Sequence, residues 1–202
     1  MVNVQGEPLS PESLRMLEYL KGRAVALDAA ALRARVRAAM NELNAALEGV
    51  DEDTSRAHPV AGEWSVAQVV DHVAQTQIRS ADELRHLLAG RRPPAPPVYD
   101  AITSGAATWA PWRDLLDGLR SANDEMDALL ATTTASNGGA LASPATVLTI
   151  LLANRTMSDG TIAPETFAVD LDWKEYALVQ RLHLLDHRTQ VKKLRGARSA
   201  AR

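Results

Sequence analysis

Apolar residues recur three and four positions apart in five stretches of the chain, and clusters of turn-forming residues separate them. The first stretch follows Ser10-Pro11-Glu12. Ser10 can cap a helix, and Pro11 suits a first turn, where its missing N–H does no harm. Leu14, Leu17, Leu20 and Val25 form its stripe. Asp28 reads as a second cap or a bend, and Leu32, Val36, Met40, Leu43 and Leu47 then carry a helix to Gly49. A polar connection ends at Ser65, an N-cap for the stripe Val66, Val69, Val70, Val73, Leu84 and Leu87, which stops at Gly90. Arg91 to Pro97 holds four prolines and cannot be helical. The next helix starts near Pro111 and presents Trp112, Leu115, Leu119, Met126 and Leu130.

Thr132 to Leu171 has no clear period. Its apolar run Val147 to Leu152 and the turn signal Ser158-Asp159-Gly160 fit either a short hairpin or an extra helical turn. The last helix, from about Asp172 to Leu194, is apolar on two sides and so should be buried on two sides. Leu178, Leu182 and Leu185 form one stripe. Tyr176, Val179, Val191 and Leu194 form the other, which also carries His183 and His187. No internal repeat or domain boundary interrupts this order.

Composition supports a helical reading: 46% of residues are hydrophobic and only 4% aromatic, and the apolar share is largely Ala, Leu and Val. The expected class is all-α. A net charge of −3 gives no electrostatic case for nucleic acid or an anionic membrane. The basic tail Lys192 to Arg202 is short and reads as a frayed terminus. With no cysteine in the chain, disulfides, thiolate ligands and a Cys nucleophile are excluded, which fits a cytoplasmic setting. Met1 to Ser10 lacks an apolar signal core, and no segment approaches a membrane span.

The chemistry concentrates on histidine. His183 and His187 stand i, i+4, one turn apart on one helix face, where two imidazoles can converge on an ion. Leu184 follows the first histidine where a zincin needs its glutamate base, so a metalloprotease is disfavoured. The segment Gly62-Glu63-Trp64-Ser65, followed by Asp71-His72, opens an amphipathic helix with a histidine two turns in. Taken alone, His72 reads as a boundary histidine satisfied by water.

Together, Trp64-Ser65, His72 and the His183/His187 pair resemble the DinB/YfiT-like superfamily over about Asp28 to Leu194. The resemblance implies a DinB/YfiT-like four-helix bundle at 28–195, an N-terminal helical extension at 1–27 and a flexible tail at 196–202. It further implies that His72, His183 and His187 bind a divalent metal, zinc or nickel, with an open side for water or a small-molecule substrate. Some members transfer low-molecular-weight thiols to electrophiles, and here such a thiol would have to come as a cosubstrate. A non-catalytic metal-binding or stress-associated protein and a metal-dependent hydrolase are the other readings.

Around the ligands, Gln75, Thr76 and Arg79 share the His72 side and could orient water or an anionic substrate, although Arg79 can equally pair with Glu83. Tyr176 serves either as a hydrogen-bond donor behind the ligands or as a core aromatic. Asp71 and Asp186 read as solvated charges, His58 and His86 as surface histidines, and Trp64 as a packing anchor. Trp109 and Trp112 should seal one bundle end. No catalytic base is identifiable. The second stripe of the last helix needs a cover, either the extension or a second chain, and the resemblance favours a homodimer.

Overall fold

The structure is a computed structural model and describes residues 1–135, 145–157 and 159–200. Among the described residues, five long helices form where the apolar period and caps place them, and a short sixth forms at 52–56, inside the stretch that reads as a polar connection. They are α1 (Pro11–Ala26), α2 (Ala29–Leu47), α3 (Glu52–Arg56), α4 (Val66–Leu88), α5 (Trp112–Ala135) and α6 (Trp173–Ala200). Ser10 and Asp28 cap α1 and α2 through the backbone N–H groups of Ser13 and Ala31. Ser65 begins α4 with a reciprocal box: its Oγ accepts from Gln68 N at 3.2 Å, and Gln68 Oε1 accepts from Ser65 N at 2.8 Å. Such a cap stabilises a helix start by about 1 kcal/mol.

The long helices α2, α4, α5 and α6 form the four-helix bundle, and α1 is the added N-terminal helix. Leu32, Leu43, Leu84, Leu119, Met126 and Leu184 are among the fully buried side chains of its core. α6 packs against α1, α2 and α4, which explains a helix apolar on two sides. Leu178 is buried and Leu182 and Leu185 are half-buried within the chain itself, so the second stripe does not require another subunit. α6 continues to Ala200; residues 201–202 of the expected tail lie outside the described residues.

The ambiguous stretch contains a two-stranded antiparallel hairpin, β1 (Val147–Thr156) and β2 (Ile162–Leu171), in register from Val147↔Leu171 to Thr156↔Ile162. Its turn closes with Gly160 at φ +82°, a conformation that glycine adopts at no steric cost. Ser158 of the turn signal and residues 136–144 lie outside the described residues. Phe167, Val169 and Leu171 point inward from β2, alternating with exposed neighbours as a sheet covered on one face requires.

At the other end of the bundle, Trp112 is buried and donates its Nε1–H to the Val50 carbonyl at 2.7 Å. Trp109 does not share in sealing that end; it is 76% exposed. Its neighbours turn through a 3₁₀ segment, Ala106–Thr108, which leaves the indole pointing off the bundle.

One polar clamp fixes the extension to the hairpin. Glu165, 3% exposed on β2, accepts from Ser10 N at 3.1 Å, from Ser10 Oγ at 2.6 Å and from Ser13 Oγ. A carboxylate at the start of α1 also meets the positive end of the helix dipole. Burial pushes the Glu165 carboxyl up, but the donors of Ser10 and Ser13 outweigh it and hold it below the ordinary range. Its folded-state pKa is therefore depressed, and its contribution is present above the unfolded value and lost as pH falls through the folded one. Glu165→Ala should cost about 2 kcal/mol in urea unfolding at neutral pH and speed amide exchange in the first turn of α1. Unchanged stability and exchange would show that the clamp holds nothing.

Candidate metal centre

His72 lies two turns into α4, and His183 and His187 lie one turn apart on α6. These helices pack side by side, which brings together histidines that are far apart in sequence. His72 Nε2 stands 3.0 Å from His183 Nε2, and His187 Nε2 also stands 3.0 Å from it. One ligand atom from each ring lies within 4.8 Å of the other two. The rings meet edge to face, with centroids 4.4–5.1 Å apart. Trp64 closes one side, edge-on to His72 and parallel to His187. It is a packing anchor, as the sequence suggests, and what it packs on is the histidine cluster.

The outward nitrogens decide the protonation of the inward ones. His72 Nδ1 is 2.8 Å from the Ile102 carbonyl, and His187 Nδ1 is 2.8 Å from Gln190 Oε1. Both oxygens accept, so each Nδ1 carries the proton and each Nε2 turns a lone pair inward. Both lone pairs face His183 Nε2, which can offer at most one proton. A cation between the rings would satisfy all three nitrogens at once, so the donor set fits a metal.

Behind His72 the loop is held by Asp71, which is buried rather than solvated. Its carboxylate accepts from Ser104 Oγ at 2.5 Å, Ser104 N at 3.2 Å and Gly105 N at 3.0 Å. That fixes the loop whose Ile102 carbonyl orients the imidazole. No sequence signal announces Asp71, because its partners lie more than thirty positions away.

A cavity of about 190 Å³ opens from the cluster between α4, α6 and β1. Its wall contains His72, His183, Thr76, Arg79 and Tyr176 but not Gln75. Arg79 pairs with Glu83 at 2.8 Å and donates to the Pro96 carbonyl at 2.6 Å, so its charge is already engaged. Tyr176 donates to Glu83 and contacts Ser80 Oγ at 3.0 Å. Burial first, and then the Glu83 charge, push the phenol well above its ordinary value; Tyr176 is a donor, not a base. Sequence reasoning missed Glu83, Ser80, Gln180 and β1 as wall residues. Gln180 sits one turn before His183 and was findable; β1 reaches the cavity only through the tertiary fold. His58 is exposed, and neither it nor His86 joins the cluster.

Burial pushes the His183 imidazole well below its ordinary value, with His187 and His72 adding to the effect. Burial likewise takes His187 down to about 4 against the Gln190 bond, and lowers His72 against the Ile102 carbonyl and Asp71. These folded pKa values lie below the unfolded value, so the unfolded chain binds more protons in acid. Stability of the metal-free protein is then full above about pH 6.5 and falls as pH drops toward the folded values, by up to about 1.4 kcal/mol per pH unit for each imidazole. Urea unfolding at pH 7 and pH 5 measures this, and a flat profile would contradict the burial.

A family model described as the DinB superfamily matches residues 35–154, more than half of the chain. The match includes His72 and ends before α6. Among solved structures, TT2238, a four-helix bundle protein, is 18% identical, with 78% of this chain and 95% of its own covered and a TM-score of 0.46. A mycothiol-dependent maleylpyruvate isomerase is 15% identical, with 83% of this chain covered and a TM-score of 0.43; the present chain spans 62% of that protein's length. No curated protein matches.

Proposed function

We propose that this chain, which belongs to the DinB superfamily, is a divalent-metal protein that acts as a metal-dependent transferase on small molecules, using a low-molecular-weight thiol or a small electrophile. The observation that carries the reading is the set of three converging imidazoles, with the Nδ1–H groups of His72 and His187 turned outward to Ile102 and Gln190. His72, His183 and His187 are the proposed ligands. All-nitrogen donors suit zinc or nickel, and three protein ligands leave a position open. Bound there, a divalent ion supplies Lewis acidity that favours the deprotonated form of a thiol or water.

The chain's own residues argue that the nucleophile is brought in. There is no cysteine. The buried carboxylate of the cavity wall, Glu83, lies three turns from His72, or ~16 Å along α4, and is tied to Arg79 and Tyr176. It is poorly placed to take a proton from water beside the histidines, which weakens the hydrolytic reading. Asp71 holds the loop, Trp64 excludes water from one side of the rings, and the cavity is sized for a small molecule.

Cytoplasmic location and a homodimer complete the proposal. Among the described residues, no helix is long and apolar enough to cross a membrane. A two-fold dimer is the commonest closed assembly, and sedimentation as a monomer at high concentration would remove it.

His72→Ala and His183→Ala should each abolish stoichiometric metal in elemental analysis of purified protein, because two imidazoles seldom retain a divalent ion. His58→Ala and His86→Ala should leave it intact. Asp71→Ala should weaken metal affinity by ~10–100-fold by freeing the loop behind His72. Full metal in the two ligand variants would refute the centre. The activity is tested by mass spectrometry of thiol-plus-electrophile mixtures; metal-dependent adducts support transfer, and their absence across the panel leaves a binding protein.

A further inference from the structure

The cavity beside the histidines has two kinds of wall side chain, and they differ in what a ligand can touch. Thr76 Oγ1, Thr149 Oγ1 and Gln180 Oε1 belong to wall residues, yet these oxygens are sealed from solvent. Ser80 and Tyr176 are buried and bonded to each other, and Tyr176 also donates to Glu83. The aliphatic residues behave otherwise. Val98, Ile102, Leu148, Ile150 and Val179 line the same cavity, and each is half-buried rather than fully buried. Aliphatic side chains left partly open around a concave space are surface that an apolar group can cover.

Their positions set where this wall stands. Val179 precedes His183 by one turn of α6, ~6 Å of rise. Ile102 accepts from His72 Nδ1 at 2.8 Å through its carbonyl, which places that residue beside the ring. Leu148 and Ile150 come from the face of β1 opposite to the buried Val147 and Leu151, as two-residue alternation requires. Val98 comes from the connection after α4. Three separate segments thus put aliphatic surface around one space next to the imidazoles.

Charge and size narrow the class. Arg79 is the one lysine or arginine of the wall, and Glu83 already pairs with it. Asp100, also in the wall and exposed, repels an anion. At about 190 Å³, the space is below the ~300–1,000 Å³ of drug-sized sites, so the group it takes is short.

We propose that Val98, Ile102, Leu148, Ile150 and Val179 form a subsite for a short uncharged hydrocarbon group, attached to the substrate atom that approaches His72, His183 and His187. The subsite rests on the metal-centre reading above and specifies the substrate class of that centre: a small aliphatic molecule with a metal-seeking atom at one end and neither a carboxylate nor a phosphate at the other.

The test uses full-length protein loaded with Co(II), whose visible absorption reports thiol binding without turnover. Four probes share a thiol: ethanethiol, butanethiol, mercaptopropanol, which replaces the last methyl of butanethiol by a hydroxyl, and mercaptopropionate, which ends in a carboxylate. Butanethiol should bind about tenfold tighter than ethanethiol, since each buried methylene strengthens binding about fourfold at most. Mercaptopropanol and mercaptopropionate should bind no tighter than ethanethiol. In the double variant Ile150→Thr, Val179→Thr the ratio of butanethiol to ethanethiol affinity should fall at least threefold, with cobalt stoichiometry unchanged; either single variant should show a smaller fall of the same sign. Leu152→Thr, on the same strand face but 64% exposed and outside the cavity wall, should leave the ratio as it is. Equal affinity for all probes, preference for the hydroxyl or the carboxylate, or a butanethiol advantage that survives in the double variant would overturn the subsite. So would an equal loss in Leu152→Thr. Failure to take up cobalt defeats the metal centre, and the subsite falls with it. Cobalt uptake with an ethanethiol-induced spectral change and no effect of chain length defeats the subsite alone.

Discussion

Two inward lone pairs, on His72 and His187, face a third imidazole that has at most one proton to share. Everything near them works to keep that arrangement from relaxing. A histidine free to rotate would turn its lone pair toward water or toward an N–H donor. Here the Ile102 carbonyl and Gln190 hold the opposite nitrogens, Trp64 blocks ring rotation from the side, and burial disfavours protonation as an escape. The cluster is thus electrostatically unsatisfied without a cation and held in place by groups that are themselves anchored.

That anchoring extends outward by identifiable links. Asp71 holds Ser104 and Gly105, which fixes the loop that presents the Ile102 carbonyl. The reciprocal Ser65–Gln68 box fixes the start of α4 and hence the height of His72 along the bundle. On the far side, the hairpin walls the cavity with β1, and Glu165 ties the partner strand to the first turn of α1. The N-terminal helix therefore bears on the cavity indirectly, by fixing the hairpin that forms one of its walls.

The five long helices and their starts were legible in the sequence because period and capping are local properties; the single-turn α3, with no apolar stripe, was not. Ser10, Asp28 and Ser65 each precede their own helix, and a side chain reaching its own N2 or N3 amide needs no tertiary knowledge. The histidine pair on α6 was legible for the same reason, and its convergence with His72 came through the family resemblance. The hairpin was not. Val147 to Leu152 lacks alternation because it is apolar on both faces of β1: Val147 and Leu151 are buried toward the core, Leu148 and Ile150 wall the cavity, and Leu152 is exposed. Without alternation, a short apolar run does not distinguish strand from helix. Asp71 was misread for a related reason. A carboxylate on a helix defaults to solvent unless its partners are known, and Ser104 and Gly105 lie across a loop containing four prolines. Trp109 was placed at the bundle end by its neighbours, but the 3₁₀ turn before it rotates it outward.

The antiparallel pairing of α4 with α6 also measures the cavity. His72 meets His183 and His187, while Glu83, further along α4, meets Tyr176, nearer the start of α6. A single helical period on each side therefore sets the histidines at one end and a closed Arg79–Glu83–Tyr176 group at the other. Because that group is internally neutral and fully bonded, it acts as an end wall rather than an anchor for charge. A chain that buries three imidazoles against protonation gives up some stability in acid. The caps, the Glu165 clamp and the leucine core offset that loss, so the cost of the site is met by interactions distant from it.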